Sequence, residues 1–375
     1  MNMFTIPPKP RSTKLSIIRT LVSTAIALSS ATLVVLSAFA EMPAGHGPEV
    51  SLQGKVFYRD GKVWSPKGIK VEAFSRPAGS YESASLQASL KEGRSYWGPV
   101  ELNAIKNVFH ADTVRFAISQ PGLDPQSPIY DPKYVSEILA AIHLARSNGF
   151  VVIASMDAQA ENGIPNLPCM PDESTLRAWR TIAPPLRENR GVMFELFDEP
   201  CKSNNAQAQK EWAQSMQSLI DGLRGLGAGN IFLLDGLWWA RSTNGLFPLV
   251  HDTLPNRLAL AVHPYLAKGA FVTAKQWHDQ FGASADQYPL IASEWNATPT
   301  NGCVDSTTPA IALSLMRYLE SLHVGLIGWA IDSNYGKLVR DHKSYEPTDY
   351  ATFGGCSKTP SESGGGYLLV KYPNN

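Results

Sequence analysis

The chain has no CxxC pair and no HExxH run, the two spacings that most directly announce a metal site. No metal and no cofactor are therefore expected. It has no excess charge of either sign, since Lys+Arg and Asp+Glu both total 33. A nucleic-acid or anionic-membrane partner would favour a basic balance, so neither is expected. No internal repeat or low-complexity linker argues for a second domain. Cysteine is scarce, with four residues in 375: Cys169, Cys201, Cys303 and Cys356.

Acidic residues are missing from the start of the chain. Lys9, Arg11, Lys14 and Arg19 come before any acid, and the first is Glu41. An apolar run from Leu21 to Ala40 follows the basic start and ends in Ala38-Phe39-Ala40. This is the layout of a secretory signal with a small-x-small cleavage site. It predicts a signal over residues 1–40, a single domain over 41–375, and a secreted product, extracellular or periplasmic. The alternative is an uncleaved membrane anchor, because the run is nearly long enough to span. In an oxidising compartment an even set of four cysteines predicts two disulfides. Of the three possible pairings, Cys169–Cys201 and Cys303–Cys356 are favoured, since each joins loops on neighbouring units of the pattern described next.

What is present is alternation. Lys55–Tyr58, Asp60-Gly61 and Lys62–Trp64 read as a small hairpin with an Asp-Gly turn, placed at the bottom of the domain. Apolar strands then follow at Gly68–Phe74, Thr113–Ile118, Phe150–Ala154, 191–197, Asn230–Asp235, Arg257–Val262, 289–293 and Val324–Trp329. Helical periodicity separates most of them, as at Val100–Phe109, Asp131–Asn148, Asp172–Glu188, Asn205–Leu226, Thr273–Phe281 and Thr308–Leu322. Strands alternating with helices imply a parallel sheet, and eight units suggest an α/β fold of the closed (β/α)₈ TIM-barrel type. The Gly- and Ser-rich tail beyond Asp341 has no firm placement.

The chemistry lies just past the strands. Gly191-Val-Met-Phe-Glu-Leu-Phe-Asp198-Glu199-Pro200 is an apolar strand that ends in two carboxylates, with Pro200 stopping the ladder. Tyr288-Pro-Leu-Ile-Ala-Ser-Glu294-Trp295 is a second strand ending in a glutamate. The second strand carries Arg115, the third ends in Asp157, the fifth in Trp238-Trp239, the sixth in His263-Pro-Tyr265, and the eighth in Trp329 with Asp332 beyond. In a barrel these all converge on one mouth. Paired carboxylates with rings and hydrogen-bonding groups suit a polysaccharide or oligosaccharide. Glu195, deeper in the strand of Glu199, reads as a buried partner for an arginine, and a mid-strand Arg115 would be costly without one. Trp238 and Trp239 would face opposite ways in extended chain, so one of them, Trp239, is expected to line the cleft. Asp157 and Asp332 are open between structure and function.

Arg115, Glu199-Pro200, His263-x-Tyr265, Glu294 and Trp329, in that order on those strands, resemble glycoside hydrolase family 5, the cellulase-like barrels. The resemblance covers roughly Gly68 to Asp332. It implies a retaining mechanism with Glu199 as acid/base and Glu294 as nucleophile, which needs the two carboxyls about 5–5.5 Å apart. It further implies that His263 and Tyr265 position Glu294 and the sugar, and that Trp329 forms a platform under the sugar. Asp198 stands where the family usually has asparagine, in the substrate-binding set with Arg115, His263, Tyr265, Trp329 and Trp239. An ionised aspartate only accepts hydrogen bonds, and its charge would raise the proton affinity of nearby carboxyls. Asp157-Ala158-Gln159 stands where many members carry a histidine. The leading expectation is an exported, monomeric, endo-acting β-glycosidase cutting a β-1,4-linked glucan or mannan. The alternatives are a barrel that only binds polysaccharide, motivated by Asp198, and a related glycosidase acting on a short glycoside.

Overall fold

Continuous apolar runs without alternation in the sequence belong to strands covered on both faces, and that is how they fold. The computed structural model describes residues 47–78, 80, 91–158, 168–266, 271–297, 308–332, 338–349 and 365–374, all within one compact unit, Ala40–Asn375. Three short strands come first: β1 (Val50–Gln53), β2 (Val56–Arg59) and β3 (Lys62–Val63). Eight follow: β4 (Lys67–Val71), β5 (Thr113–Ser119), β6 (Val151–Asp157), β7 (Val192–Glu195), β8 (Phe232–Asp235), β9 (Leu258–Val262), β10 (Leu290–Trp295) and β11 (Gly325–Gly328). The eight are parallel and close into a barrel in chain order, β11 pairing with β4. This is the expected (β/α)₈ architecture.

Successive side chains of a strand point to opposite faces, so each barrel strand serves two cores. Val152, Ala154 and Phe194 pack outward against the helices. Val151, Ile153, Met193, Ile231, Leu233, Ala259, Ala261, Ile291 and Ile327 fill the lower lumen. One inward step further up, the same rows turn polar. Ser155, Glu195, Asp235, His263 and Ser293 follow Ile153, Met193, Leu233, Ala261 and Ile291, and all five are fully buried. The barrel thus has a dry floor and a hydrogen-bonded upper layer.

The antiparallel sheet β1-β2-β3 closes the floor from below. Val50, Leu52, Phe57 and Trp64 join the lumen cluster. Its turn uses Asp60 at φ 49 and Gly61 at φ 75, the left-handed pair that a two-residue hairpin needs. The expected hairpin gains one strand, β1, whose Val50 N–H donates to Arg190 O. Asp112, just before β5, accepts from Trp64 Nε1 and Arg59 Nη1, both at 2.7 Å, and from Thr113 Oγ1 at 2.9 Å.

The helices start where side-chain caps permit. Asp131, Asp172 and Asn205 each accept backbone N–H groups at the starts of Pro132–Ser147, Glu173–Ile182 and Ala206–Gly225. The helix expected to reach Glu188 stops at Ile182, ahead of Pro184-Pro185, whose rings cannot continue the ladder. Between β8 and β9 no long helix forms, only the short turn Leu237–Ala240. The tail closes with a helix at Gly365–Lys371, whose end is held by Lys67 Nζ donating to Val370 O and Tyr372 O. Cys169–Cys201 is bonded as expected. The signal region, Gln159 and the Cys303–Cys356 pairing lie outside the described residues. No helix among the described residues is long and apolar enough to cross a membrane.

Asp112→Ala strands three donors at the floor of the barrel. It is expected to cost about 2–3 kcal/mol, seen as a lower urea midpoint at unchanged slope.

Candidate active site

Past Glu195 the chain leaves the ladder and turns upward into the mouth. Asp198 N–H donates to Met156 O at 2.8 Å. Glu199 sits at φ 53, a left-handed conformation that a side-chained residue keeps only where its surroundings over-determine it. They do so here. Glu199 N–H donates to Asp235 Oδ2 at 2.9 Å. Pro200 O accepts from Trp239 N–H at 2.9 Å, Lys202 O accepts from Trp238 N–H at 2.7 Å, and Cys201 is bonded to Cys169. The Glu199 carboxyl then meets His263, whose Nδ1 lies 2.8 Å from Oε1. His263 Nε2 lies 3.1 Å from Ser293 Oγ.

Glu294 reaches the same space by a different device. The pairing of β10 with β11 slips between Ala292 and Trp295, so β10 carries one extra residue there. Such a bulge re-aims a side chain. Ser293 stays inward on His263, Glu294 joins it in the mouth, and Trp295 packs outside the barrel, fully buried. Glu294 Oε2 accepts from Arg115 Nη1 at 2.5 Å and from Lys70 Nζ at 2.9 Å. Oε1 accepts from Tyr265 Oη at 2.6 Å.

Arg115 is the centre of this network. Besides Glu294 it donates through Nε to Glu195 at 2.5 Å, and through Nη2 to Asp198 at 2.5 Å and to Ser155 at 2.9 Å. Burial opposes its charge, but Glu195, Glu294 and Asp198 outweigh that and hold it protonated. Burial would likewise raise Glu195, yet the Arg115 guanidinium holds it well below the usual carboxylate range. Asp235 goes the other way: burial and the neighbouring Glu195 charge push it well above that range. Asp235 Oδ1 and Glu195 Oε1 are both buried acceptors lacking a donor, and a proton on Asp235 supplies one. For His263, burial works against the imidazolium but the nearby carboxylates, Glu294 first among them, overcome it, and its proton affinity rises. Burial and the Glu294 charge push Tyr265 well above its ordinary value, so it remains a donor.

Two groups here have the donors of a metal site, Glu195 with Asp198, Asp235 and His263, and Glu199 with His263 and Glu294. In the first the guanidinium of Arg115 already occupies the place a cation would take between Glu195 and Asp198. In the second, Glu294 already faces Arg115 and Lys70.

A family model described as cellulase, glycosyl hydrolase family 5, matches residues 82–335. The chain belongs to glycosyl hydrolase family 5. Members of this family are glycosidases, hydrolysing O-glycosyl bonds. The chain is 23% identical over 254 residues to a mannan endo-1,4-beta-mannosidase of Streptomyces lividans, a match covering 64% of this chain and 60% of that protein. The match thus spans about three fifths of that curated relative's length. The fold matches a beta-glucanase from Saccharophagus degradans in complex with cellotetraose, with TM-score 0.65, 19% identity, and coverage of 88% of this chain and 93% of that one. It also matches the catalytic domain of Thermobifida fusca endoglucanase Cel5A, with TM-score 0.58, 14% identity, and coverage of 86% and 97%.

The family 5 barrel brings Arg115, Asp198, Glu199, His263, Tyr265 and Glu294 together, all buried but Tyr265, which is half-buried. Trp329 joins them half-buried, with Nε1 3.3 Å from Glu72 Oε2. Two expectations need correcting. His263 was expected on Glu294, but its ring contacts Glu199, because Tyr265 and the two cations already occupy Glu294. Trp238 and Trp239 are not extended: with Ala240 they take φ of 62, 57 and 54, a left-handed turn anchored on the loop of Glu199. Trp239 is 43% exposed, whereas Trp238 packs against Phe271 and under Arg241. Asp332 serves the fold, accepting from Glu72 and Ala73 N–H at 2.8 Å. Asp157 ends β6, buried. The sequence reading passed over Lys70 and Glu72, and placed Asp235 at the end of the fifth strand without giving it a role. Lys70, like Arg115, is a cation in the middle of a buried strand and is equally costly without partners.

The raised proton affinity of Asp235 has a consequence for stability. The folded chain keeps a proton that an unfolded aspartate loses above about pH 4, so this group costs stability as pH rises from there. Asp235→Asn keeps a donor for Glu195 and an acceptor for the Glu199 N–H without that cost. The variant should be more stable than the parent at pH 7.5, with the advantage shrinking toward pH 4, by urea unfolding at both.

Proposed function

We propose that the chain is an exported, retaining, endo-acting β-glycosidase that cuts a β-1,4-linked polysaccharide, glucan or mannan. The observation that carries this is the spacing of two differently equipped glutamates. A carboxylate oxygen of Glu199, one of Glu294 and a ring nitrogen of His263 all lie within 4.8 Å of one another. That spacing supports retention, for which about 5–5.5 Å between the carboxyls is required, over inversion, which needs room for a water at about 6.5–9.5 Å. Glu294 accepts from two cations and a phenol, donors that suit an anionic nucleophile. Glu199 meets the imidazole of His263 at 2.8 Å, and is suited to pass a proton to the leaving oxygen and take one from water in the second step.

The substrate class rests on the mannanase and glucanase relatives together with the rings at the mouth. Trp329 is offered as the platform beneath the sugar at the cleaved bond, and the exposed Trp239 as a contact beside Glu199. Arg115 and Asp198 would reach the sugar only through the network they hold. Export is supported by the signal-like start and by the Cys169–Cys201 disulfide, a bond that persists in oxidising compartments.

Reducing-sugar release should appear on at least one β-1,4-glucan or mannan from a panel that includes xylan. Glu294→Gln and Glu199→Ala should each lower it by about 10²–10⁴-fold or more. Azide should rescue Glu199→Ala on an aryl β-glycoside with a good leaving group, giving a β-glycosyl azide. Unchanged hydrolysis by Glu294→Gln on every active substrate would sink the assignment.

A further inference from the structure

Lys70 lies on β4 with only a few per cent of its side chain exposed. Its Nζ is 2.9 Å from Glu294 Oε2 and 3.0 Å from Glu72 Oε2. The same Glu72 oxygen lies 3.3 Å from Trp329 Nε1, and the ammonium lies 5.9 Å from the centre of the Trp329 ring. Glu294, Lys70, Glu72 and Trp329 therefore form one continuous polar chain from the proposed nucleophile to the proposed platform.

The charges around it are out of balance without Lys70. Glu72, Glu195, Asp198 and Glu294 share the mouth with two permanent cations, beside Glu199, the proposed acid, and Asp235, both of which carry protons. Arg115 is divided among three of these carboxylates. Its Nη1 reaches the same Glu294 oxygen that Lys70 does. The groups facing Lys70 are Glu294 from β10, Glu72 just past the end of β4, Arg115 from β5 and Asp198 past β7. Tyr265 and His263 also face Glu294. Burial opposes the ammonium, and Glu294 and Glu72 overcome that, keeping Lys70 charged.

We propose that Lys70 is a positioning residue that holds Glu294 as the reactive anion, and that Glu72 sets how much of its charge Glu294 receives. This rests on the glycosidase reading above. When a Glu294 oxygen bonds to the anomeric carbon, the bond to the leaving oxygen breaks and that oxygen takes the proton of Glu199. The charge on Glu294 is then gone. Glu72 remains as counter-anion, so the buried ammonium is not stranded. When water, deprotonated by Glu199, displaces Glu294, the original pairing returns.

The test is the pH dependence of kcat/KM on dinitrophenyl β-cellobioside and β-mannobioside, whose leaving groups need no proton. The parent chain, Lys70→Met, Lys70→Arg and Glu72→Gln are compared, each with a thermal melt. Removing a cation within about 4–6 Å raises a carboxylate's proton affinity, and removing an anion lowers it. Lys70→Met should therefore move the acid limb up by about one pH unit or more, and Lys70→Arg should restore it. Glu72→Gln should move it down. A merely structural role would not produce opposite signs. Limbs that move together, or not at all, overturn the inference while leaving the glycosidase reading standing. No turnover of either glycoside by the parent chain overturns both. If Lys70→Met does not fold, the downward shift in Glu72→Gln decides alone, since that variant keeps every cation.

Discussion

A single guanidinium, fully buried, holds the upper layer of the barrel together. Arg115 on β5 bonds Ser155 on β6, Glu195 on β7, Asp198 beyond it and Glu294 on β10. A cation taken out of water is expensive, and only several well-placed carboxylates offset it. The dependence is mutual: three carboxylates that would repel one another can share the mouth because the fork of Arg115 lies among them. The planar geometry matters as much as the charge, since separate nitrogens face separate partners.

The remaining features of the site are responses to that crowding. One surplus negative charge is removed by a proton on Asp235, which lets that residue bond Glu195 on one side and the Glu199 backbone on the other. A second is met by Lys70. His263 takes up the space between, touching Glu199 and Ser293. Below this layer the lumen is apolar and capped by Trp64 and Phe57, which leaves the polar groups no water from beneath. The two glutamates thus receive different environments, although both end barrel strands and both are nearly buried. The β7 loop brings Glu199 in by a left-handed residue, and β10 brings Glu294 in by a bulge.

Much of this was legible in the sequence, for physical reasons. Buried strands read as unbroken apolar runs, and helices read from their periodicity, with Asp131 and Asp172 at their starts. The strand-end acids stood out because each closes an apolar run, and Arg115 because a mid-strand cation demands partners. Other features could not be read. The bulge that turns Glu294 inward depends on pairing with β11, which local sequence does not encode. The left-handed turn at Trp238–Ala240 is set by hydrogen bonds to Pro200 and Lys202, far back in the chain, and so the alternation rule failed there. His263 took Glu199 and not Glu294 because partners from β4, β5 and the β9 loop had already filled Glu294. Lys70 was missed although the reasoning applied to Arg115 covers it.

The most direct test of the central claim is the stability cost of Arg115→Met as a function of pH, by urea unfolding at pH 4.5 and 7.5. In the parent chain the depressed proton affinity of Glu195 contributes stability above the unfolded carboxylate range and loses it as pH falls. Without the guanidinium, Glu195, Asp198 and Glu294 lose the cation they share, Glu294 keeping Lys70 and Tyr265, and folding is opposed most where they are ionised. The account predicts a cost of about 3–5 kcal/mol near neutrality that becomes clearly smaller at pH 4.5. A cost that is the same at both values would contradict it, and would make Arg115 a packing residue and not the organiser of the charge.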